Sequence, residues 1–262
     1  MGTDFEASSA ISRMDAISLE EMDSVKLMNR IDTKYVTTEE KLLKVFERAA
    51  DCGYRVCEIM GRRVTGYDSM YYDTPTLEMF RIHRSGKYVR QKVRVRTYLV
   101  SGVTFLEIKR KNNKGRTRKK RMKLDGKDIA GTAGAAEFLA GNSWYTLEGI
   151  SPACTTFFNR ITLVNKEKTE RITFDTALGF SNPRTGRSAG LRDAVIIEVK
   201  QDGRADSRIG RILLDLRIHP FKVSKYCIGT ILTDTSLHRG RFKEKVRGIE
   251  KIIGKDLEKR IS

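Results

Sequence analysis

Cations and carboxylates recur at every second position in three short units of this chain: Lys92-Val93-Arg94-Val95-Arg96, Glu107-Ile108-Lys109 and Glu198-Val199-Lys200. An extended phosphate chain is a polyanion, so a site for one needs several cations around it, arginine for forked hydrogen bonds and lysine as a compact charge. Arg94, Arg96, Lys109 and Lys200 fit that task. Phosphoryl transfer further calls for a divalent ion bridging phosphate oxygens, and a carboxylate within a cationic wall is its natural ligand. Glu198 and Glu107 are the candidates, with an intrastrand charge pair free of metal as the alternative for each.

The spacing of these units is that of β-strands, whose side chains alternate between two faces. Phe105-Leu106-Glu107-Ile108-Lys109 sets Glu107 and Lys109 against Leu106 and Ile108, and Arg171-Ile172-Thr173-Phe174-Asp175 sets Arg171, Thr173 and Asp175 against Ile172 and Phe174. Taken singly, each strand also suits a half-buried sheet with solvent on its charged side. Their recurrence is met by closing the sheet, so that apolar faces pack outward under helices and charged faces line an inner channel. The expected architecture is therefore α+β, a closed antiparallel β tunnel with a charged interior and packing helices outside. Those helices are expected at about Thr38 to Asp51, opened by a capping box from Thr37 to Glu40, at Asp206 to Ile218 and at Phe242 to Ile261. Leu77 to Arg84 reads as a short turn or helix and Asn182 to Arg192 as a polar loop.

A chain of 262 residues with 39% hydrophobic residues can build a real core, which rules out disorder as the default. Its 51 Lys+Arg against 33 Asp+Glu give a net charge of +18. Between Arg81 and Lys123 stand 17 Lys+Arg and a single acid, Glu107, so the excess is local and implies a polyanionic partner. No run of 18 apolar residues occurs and the first residues are acidic and polar, which predicts a cytoplasmic protein. Cys52, Cys57, Cys154 and Cys227 lack paired spacing and are expected reduced and mostly buried. Phosphate-loop, dinucleotide, zinc-protease and serine-hydrolase motifs are all missing, and no nucleic-acid module is marked, so no nucleic-acid partner is expected.

Nine pieces of sequence then run in a familiar order: Lys34-Tyr35-Val36, Tyr71-Tyr72-Asp73-Thr74-Pro75, Lys92 to Tyr98, Phe105 to Lys109, Lys119-Lys120-Arg121, Phe158-Asn159-Arg160, Arg171 to Asp175, Ile197 to Lys200 and Val223-Ser224-Lys225-Tyr226. Together they resemble the catalytic domain of the vacuolar transporter chaperone (VTC) type polyphosphate polymerases in their bacterial form, a branch of the triphosphate tunnel fold. The resemblance implies a basic tunnel that binds a nucleoside triphosphate such as ATP and, with Mn²⁺ or Mg²⁺, passes a phosphoryl group to a growing inorganic polyphosphate chain. It implies catalytic roles for Lys34, Arg94, Arg96, Lys109, Arg160, Arg171, Lys200 and Lys225, and a metal role for Glu198, with Glu107 as the second candidate. Phosphate binding falls to Lys119, Arg121, Lys222 and Ser224, and to Arg84, for whose position Arg81 competes.

One departure bears on the reaction. The wider superfamily opens with Glu-x-Glu-x-Lys, where this chain has Arg30-Ile31-Asp32-Thr33-Lys34. Fewer carboxylates disfavour plain hydrolysis, leaving a tripolyphosphatase or nucleoside triphosphatase of the same fold as the rival, and an inert polyphosphate or nucleic-acid binder as the rival from another class. The expected organisation is a polar segment over 1–24, the tunnel domain over 25–240 and a basic amphipathic helix over 241–262. The transmembrane segments of eukaryotic relatives are not matched, so any coupling to a membrane is expected to need a separate partner.

Overall fold

The computed structural model describes residues 5, 8–23, 30–203 and 206–257, with Asp23 and Arg30 described by backbone alone. In chain order the elements are α1 (Ser9–Arg13), β1 (Ala16–Ile17), α2 (Leu19–Asp23), β2 (Arg30–Thr38), α3 (Glu39–Asp51), β3 (Arg55–Cys57), β4 (Thr65–Asp73), α4 (Glu78–Arg84), β5 (Arg90–Tyr98), β6 (Thr104–Lys111) and β7 (Thr117–Leu124). There follow α5 (Ala135–Asn142), β8 (Ser151–Val164), β9 (Glu170–Ser181), β10 (Ser188–Leu191), β11 (Ala194–Asp202), α6 (Arg208–Asp215), α7 (Lys225–Thr233) and α8 (Phe242–Ile253). Among the described residues no helix is long and apolar enough to cross a membrane.

The main sheet runs β2-β11-β9-β8-β4-β5-β6-β7, antiparallel at each step. Along that path β11 and β6 are separated by β9, β8, β4 and β5, about 24 Å in a flat sheet at ~4.8 Å per strand. Yet the charges of Glu198 on β11 and Lys109 on β6 bear directly on one another, so the sheet curls until these strands face across an interior. Its outer face is apolar, as the alternation demands. Ile161, Leu163, Ile172, Phe174, Val195, Ile197 and Val199 form one core with Leu42, Val45 and Phe46 of α3 and Ile209, Ile212 and Leu213 of α6. Val93, Val95, Leu106 and Ile108 form another with Ala135 and Leu139 of α5. The expected antiparallel tunnel wall is present, but its end strands, β2 and β7, share no ladder among the described residues. Thr117 to Arg121 of β7 are all exposed and mostly cationic, an edge guarded by charge.

Inside, the wall is charged along β5 and β6 and turns apolar at one end, where α7 packs. Val36, Cys154, Phe180 and Ile196 meet Tyr226, Cys227, Ile228 and Ile231 there. Gly229 is required at this contact, since a Cβ would stand 2.5 Å from Phe180 Cδ1 and 2.9 Å from Cys154 Sγ. The sequence reading contains no such helix: α7 is buried on every side and therefore lacks the one-sided stripe that marks a helix. A bulge in β9 serves the same junction. The pairing with β8 steps from Phe157↔Gly179 to Asn159↔Thr176, and Ala177, at φ +50°, absorbs the extra residue. Phe180 on one side of it and Asp175, Thr173 and Arg171 on the other thereby share the inner face, despite opposite parity.

Four smaller expectations change. The cap of α3 is Thr38, which accepts from Lys41 N, while Thr37 Oγ1 is buried without a partner. Helix α6 is shorter than expected because Ser207 caps it and Leu216 ends it. The loop from Asn182 carries strand β10, paired with β9. Helix α8 stops at Ile253 because Gly254 turns left-handed at φ +66°, and the expected extension to Ile261 lies partly outside the described residues. Cys57, Cys154 and Cys227 are buried and Cys52 half-buried, all as free thiols.

Candidate anion-binding tunnel

Strand β5 supplies the centre of the site. Lys92, Arg94 and Arg96 sit at alternate positions and face inward, while Val93 and Val95 enter the outer core. Arg94 Nε donates to Glu107 Oε2 at 2.7 Å and Arg94 Nη1 donates to Tyr71 Oη at 3.0 Å. Arg96 Nε donates to Ser69 Oγ at 2.9 Å, and its guanidinium lies 5.2 Å from the Tyr67 ring centre. Lys92 Nζ donates to Ser224 Oγ at 2.8 Å, and the same oxygen accepts from Cys227 N to cap α7. The tunnel floor is thus tied to the N-terminus of a helix, whose free N–H groups favour anions.

The opposite wall is built by β8, β9, β11 and β2. Arg160 forms a forked pair with Asp175, at 2.6 and 2.8 Å, and Lys225 Nζ contacts the same carboxylate. Lys34 stands opposite Glu198 in the β2–β11 register, and Lys200 Nζ lies 4.0 Å from Glu198 Oε2. Arg171 is opposite Lys200 on β9, and their charges interact.

Burial and crowding of like charges shape the electrostatics. Arg94 foremost, then burial and Arg96, push the Lys109 ammonium well below its usual range. Burial lowers Lys225 to about 8 against the support of Asp175. Burial opposes the Glu198 carboxylate, yet Lys34, Lys200, Lys109 and Arg160 hold its pKa well below the carboxylate range. Such mutual repulsion is relieved by a bound polyanion, which is what the arrangement can hold.

Lys34, Arg94, Arg96, Lys109, Arg160, Arg171, Lys200, Ser224 and Lys225 are brought to this interior. Lys119 reaches it through an ion pair with Glu107, and Arg121 covers Phe105, with 4.8 Å to the ring centre. Lys222 is exposed beside Lys111 and Lys245. Arg84 is not part of the cluster: its Nη1 donates to His238 O at 2.7 Å and its guanidinium lies over Phe80, because α4 turns it away from the strands. Arg81 is exposed. Glu107, the second metal candidate, lies in ion pairs with Arg94 at Oε2 and with Lys119 at Oε1.

Residues 29–233 match the VTC domain family. This chain belongs to that family. Its fold is the triphosphate tunnel. A candidate adenylate cyclase from Bacillus halodurans superposes on this VTC domain with a TM-score of 0.50 at 11% identity, covering 75% of this chain and 96% of that one. A candidate adenylyl cyclase from Hippeastrum with a dominant triphosphatase activity gives 0.47 at 10% identity, covering 76% and 94%. The PH1819 protein of Pyrococcus horikoshii gives 0.46 at 16%, covering 79% and 99%. No curated protein matches the sequence.

The sequence reading of the VTC domain left out two members of the site. Lys92 shares the parity of Arg94 and Arg96 and was legible from that alone. Asp175 lies on the face of Arg171 and Thr173, but its role as counter-charge to Arg160 and Lys225 depends on the β8–β9 register and on α7.

Proposed function

We propose that this VTC domain is a metal-dependent polyphosphate polymerase. A terminal oxygen of the polyphosphate chain attacks the γ-phosphorus of a nucleoside triphosphate, ATP foremost. The bond from that phosphorus to the β–γ bridging oxygen breaks, the nucleoside diphosphate leaves, and the chain is longer by one phosphate. Lys34, Lys92, Arg94, Arg96, Lys109, Arg160, Arg171 and Lys200 are assigned to hold the two anions in line and neutralise charge, so that positioning and electrostatics supply most of the catalysis.

The observation that carries this reading is the state of the carboxylates. Four lie among the tunnel cations: Glu107 and Asp175 are each held at contact distance by two of them, and Asp32, exposed on β2, stands opposite Lys200 and interacts with its charge. Glu198, buried deeper than Asp32, has its ion pair to Lys200 stretched to 4.0 Å. Hydrolysis calls for carboxylates to position water as well as metal, and one loosely paired carboxylate within the cluster, with only the exposed Asp32 on β2 beside it, suits transfer between two phosphate chains better. The described residues hold no group of three His, Cys, Asp or Glu able to form a protein-only metal cage. Glu198 therefore fits Mn²⁺ or Mg²⁺ as a single protein ligand, the phosphate oxygens providing others, a common arrangement for Mg²⁺. The bound ion would neutralise charge on those oxygens.

Incubation of the purified protein with labelled ATP and Mn²⁺ or Mg²⁺, with products resolved on a gel, tests the proposal. A ladder of long chains is the expected result. Free phosphate alone would instead favour a triphosphatase, and unchanged ATP with tight polyanion binding would favour an inert module.

A further inference from the structure

Tyr71 is buried, at 5% exposed, on the inner face of β4, where its ring stacks on Tyr226 of α7 with 5.1 Å between centres. Its hydroxyl oxygen accepts from Arg94 Nη1 at 3.0 Å. That bond uses a lone pair, and among the described residues the hydroxyl hydrogen has no acceptor. A buried donor without an acceptor is costly, so one is expected to be filled when the site is in use.

The surroundings narrow what can fill it. From β5, Lys92, Arg94 and Arg96 all bear on the phenol, and none of them can accept a hydrogen bond. Glu107 of β6 is held by Arg94 and Lys119, and from α7 Tyr226 gives its own hydroxyl to Asp73. The remaining acceptor that suits a pocket of cations is an oxyanion. We propose that Tyr71 is a direct phosphate ligand of the tunnel, donating its hydroxyl hydrogen to an oxygen of the bound phosphate chain, and that its ionised form rejects that chain. The proposal rests on the polyphosphate reading above and deepens it by adding a neutral, titratable donor to a set of cations.

The charge balance supports it. Burial raises the phenol, but Arg94, Arg96 and Lys92 overcome this and bring it to about 8 from its ordinary 10.0. In the free tunnel the proton therefore leaves just above neutral pH, placing a negative oxygen where phosphate should sit. A bound phosphate both offers an acceptor and opposes the phenolate, so binding should raise the pKa of Tyr71 again.

Inorganic tripolyphosphate is the probe, with the full chain and its Tyr71→Phe variant compared. Phenylalanine keeps the ring against Tyr226 and under Arg94 and removes only the oxygen. Calorimetric titration at pH 7 should give about tenfold weaker binding for the variant. Near-ultraviolet phenolate absorbance, taken as the difference between the two proteins, should titrate near pH 8 in the free state and move to higher pH with tripolyphosphate present. Equal affinities, or a phenol titration that does not move, would overturn the role of Tyr71 while leaving the tunnel's function standing. Should Tyr71→Phe fold poorly, the absorbance shift of the unmodified chain decides the matter alone, measured against its other tyrosines in the tripolyphosphate-free state. No binding of tripolyphosphate by the unmodified chain would overturn the functional reading and the Tyr71 assignment with it.

Discussion

Replacing Glu107 by Gln separates a structural carboxylate from a metal ligand. Glu107 is 0% exposed, with Arg94 on one oxygen and Lys119 on the other. Glutamine keeps the volume and one acceptor but deletes the charge, leaving Arg94 buried beside Tyr71 alone. Breaking a buried pair from one side costs about 3–5 kcal/mol. Lys119, 37% exposed, is screened by water and adds little. At about 2–4 °C per kcal/mol for a chain of this size, the expected fall in Tm is on the order of 10 °C. Tripolyphosphate binding should move the other way, equal or tighter, because the tunnel has lost a negative charge, and saturating ligand should restore part of the lost Tm. The sign of the pH dependence offers a second check. Burial disfavours the Glu107 carboxylate, but Arg94, Arg96 and Lys119 outweigh it and hold the pKa well below its ordinary 4.5. A lowered carboxyl pKa gives stabilisation that is full above about pH 4.5 and lost as the pH falls, so the Tm gap between the two proteins should close in acid. Scanning calorimetry across pH, with and without tripolyphosphate, measures all of this. A variant with unchanged Tm and abolished turnover would refute the reasoning and return Glu107 to the metal.

Glu198→Gln should behave in the opposite manner, losing turnover while keeping its Tm and binding polyphosphate as tightly or more so; a large loss of Tm with activity per folded molecule intact would mark Glu198 as a structural partner of Lys200. Affinity for tripolyphosphate should weaken as pH rises through about 8, because Lys225 carries its charge below that value and sheds it above, and binding at pH 8.5 should take up protons, seen as a buffer-dependent heat. Gly229→Ala should lower Tm by several degrees, since its methyl group meets Phe180 and Cys154 inside a packed core; an unchanged melting curve would mean that α7 is free to shift.

The alternation of β5, β6, β9 and β11 made the inner and outer faces legible, because a period of two is a property of the strand itself. What local spacing could not convey was the meaning of a repeated unit. Glu107-x-Lys109 and Glu198-x-Lys200 look alike, yet Glu107 has Arg94 across the ladder and Lys119 within reach, whereas Glu198 has Lys34 opposite it and Lys200 at 4.0 Å. Cross-strand register decides the difference, and register is set by contacts distant in sequence. Arg84 was misplaced for a related reason: the direction of a side chain on α4 follows from how that helix docks on α7 and the segment around His238, not from its nearness to the cationic strands. Helix α7 stayed hidden because complete burial erases the periodicity by which helices are recognised.

The bulge at Ala177 has a consequence for how this domain can change. Strand β9 carries two messages in opposite phase, an apolar one at Phe180 addressed to α7 and a polar one at Asp175, Thr173 and Arg171 addressed to the phosphate chain. Ala177 is exposed and holds the phase shift between them. Exchange for Gly or Asn, which accept its left-handed backbone, should alter little, whereas removing the residue would put the second message on the outside of the wall with the first still intact. The length of this segment is therefore under tighter constraint than its composition, and a one-residue deletion there would leave α7 its Phe180 contact while taking Asp175 away from Arg160 and Lys225.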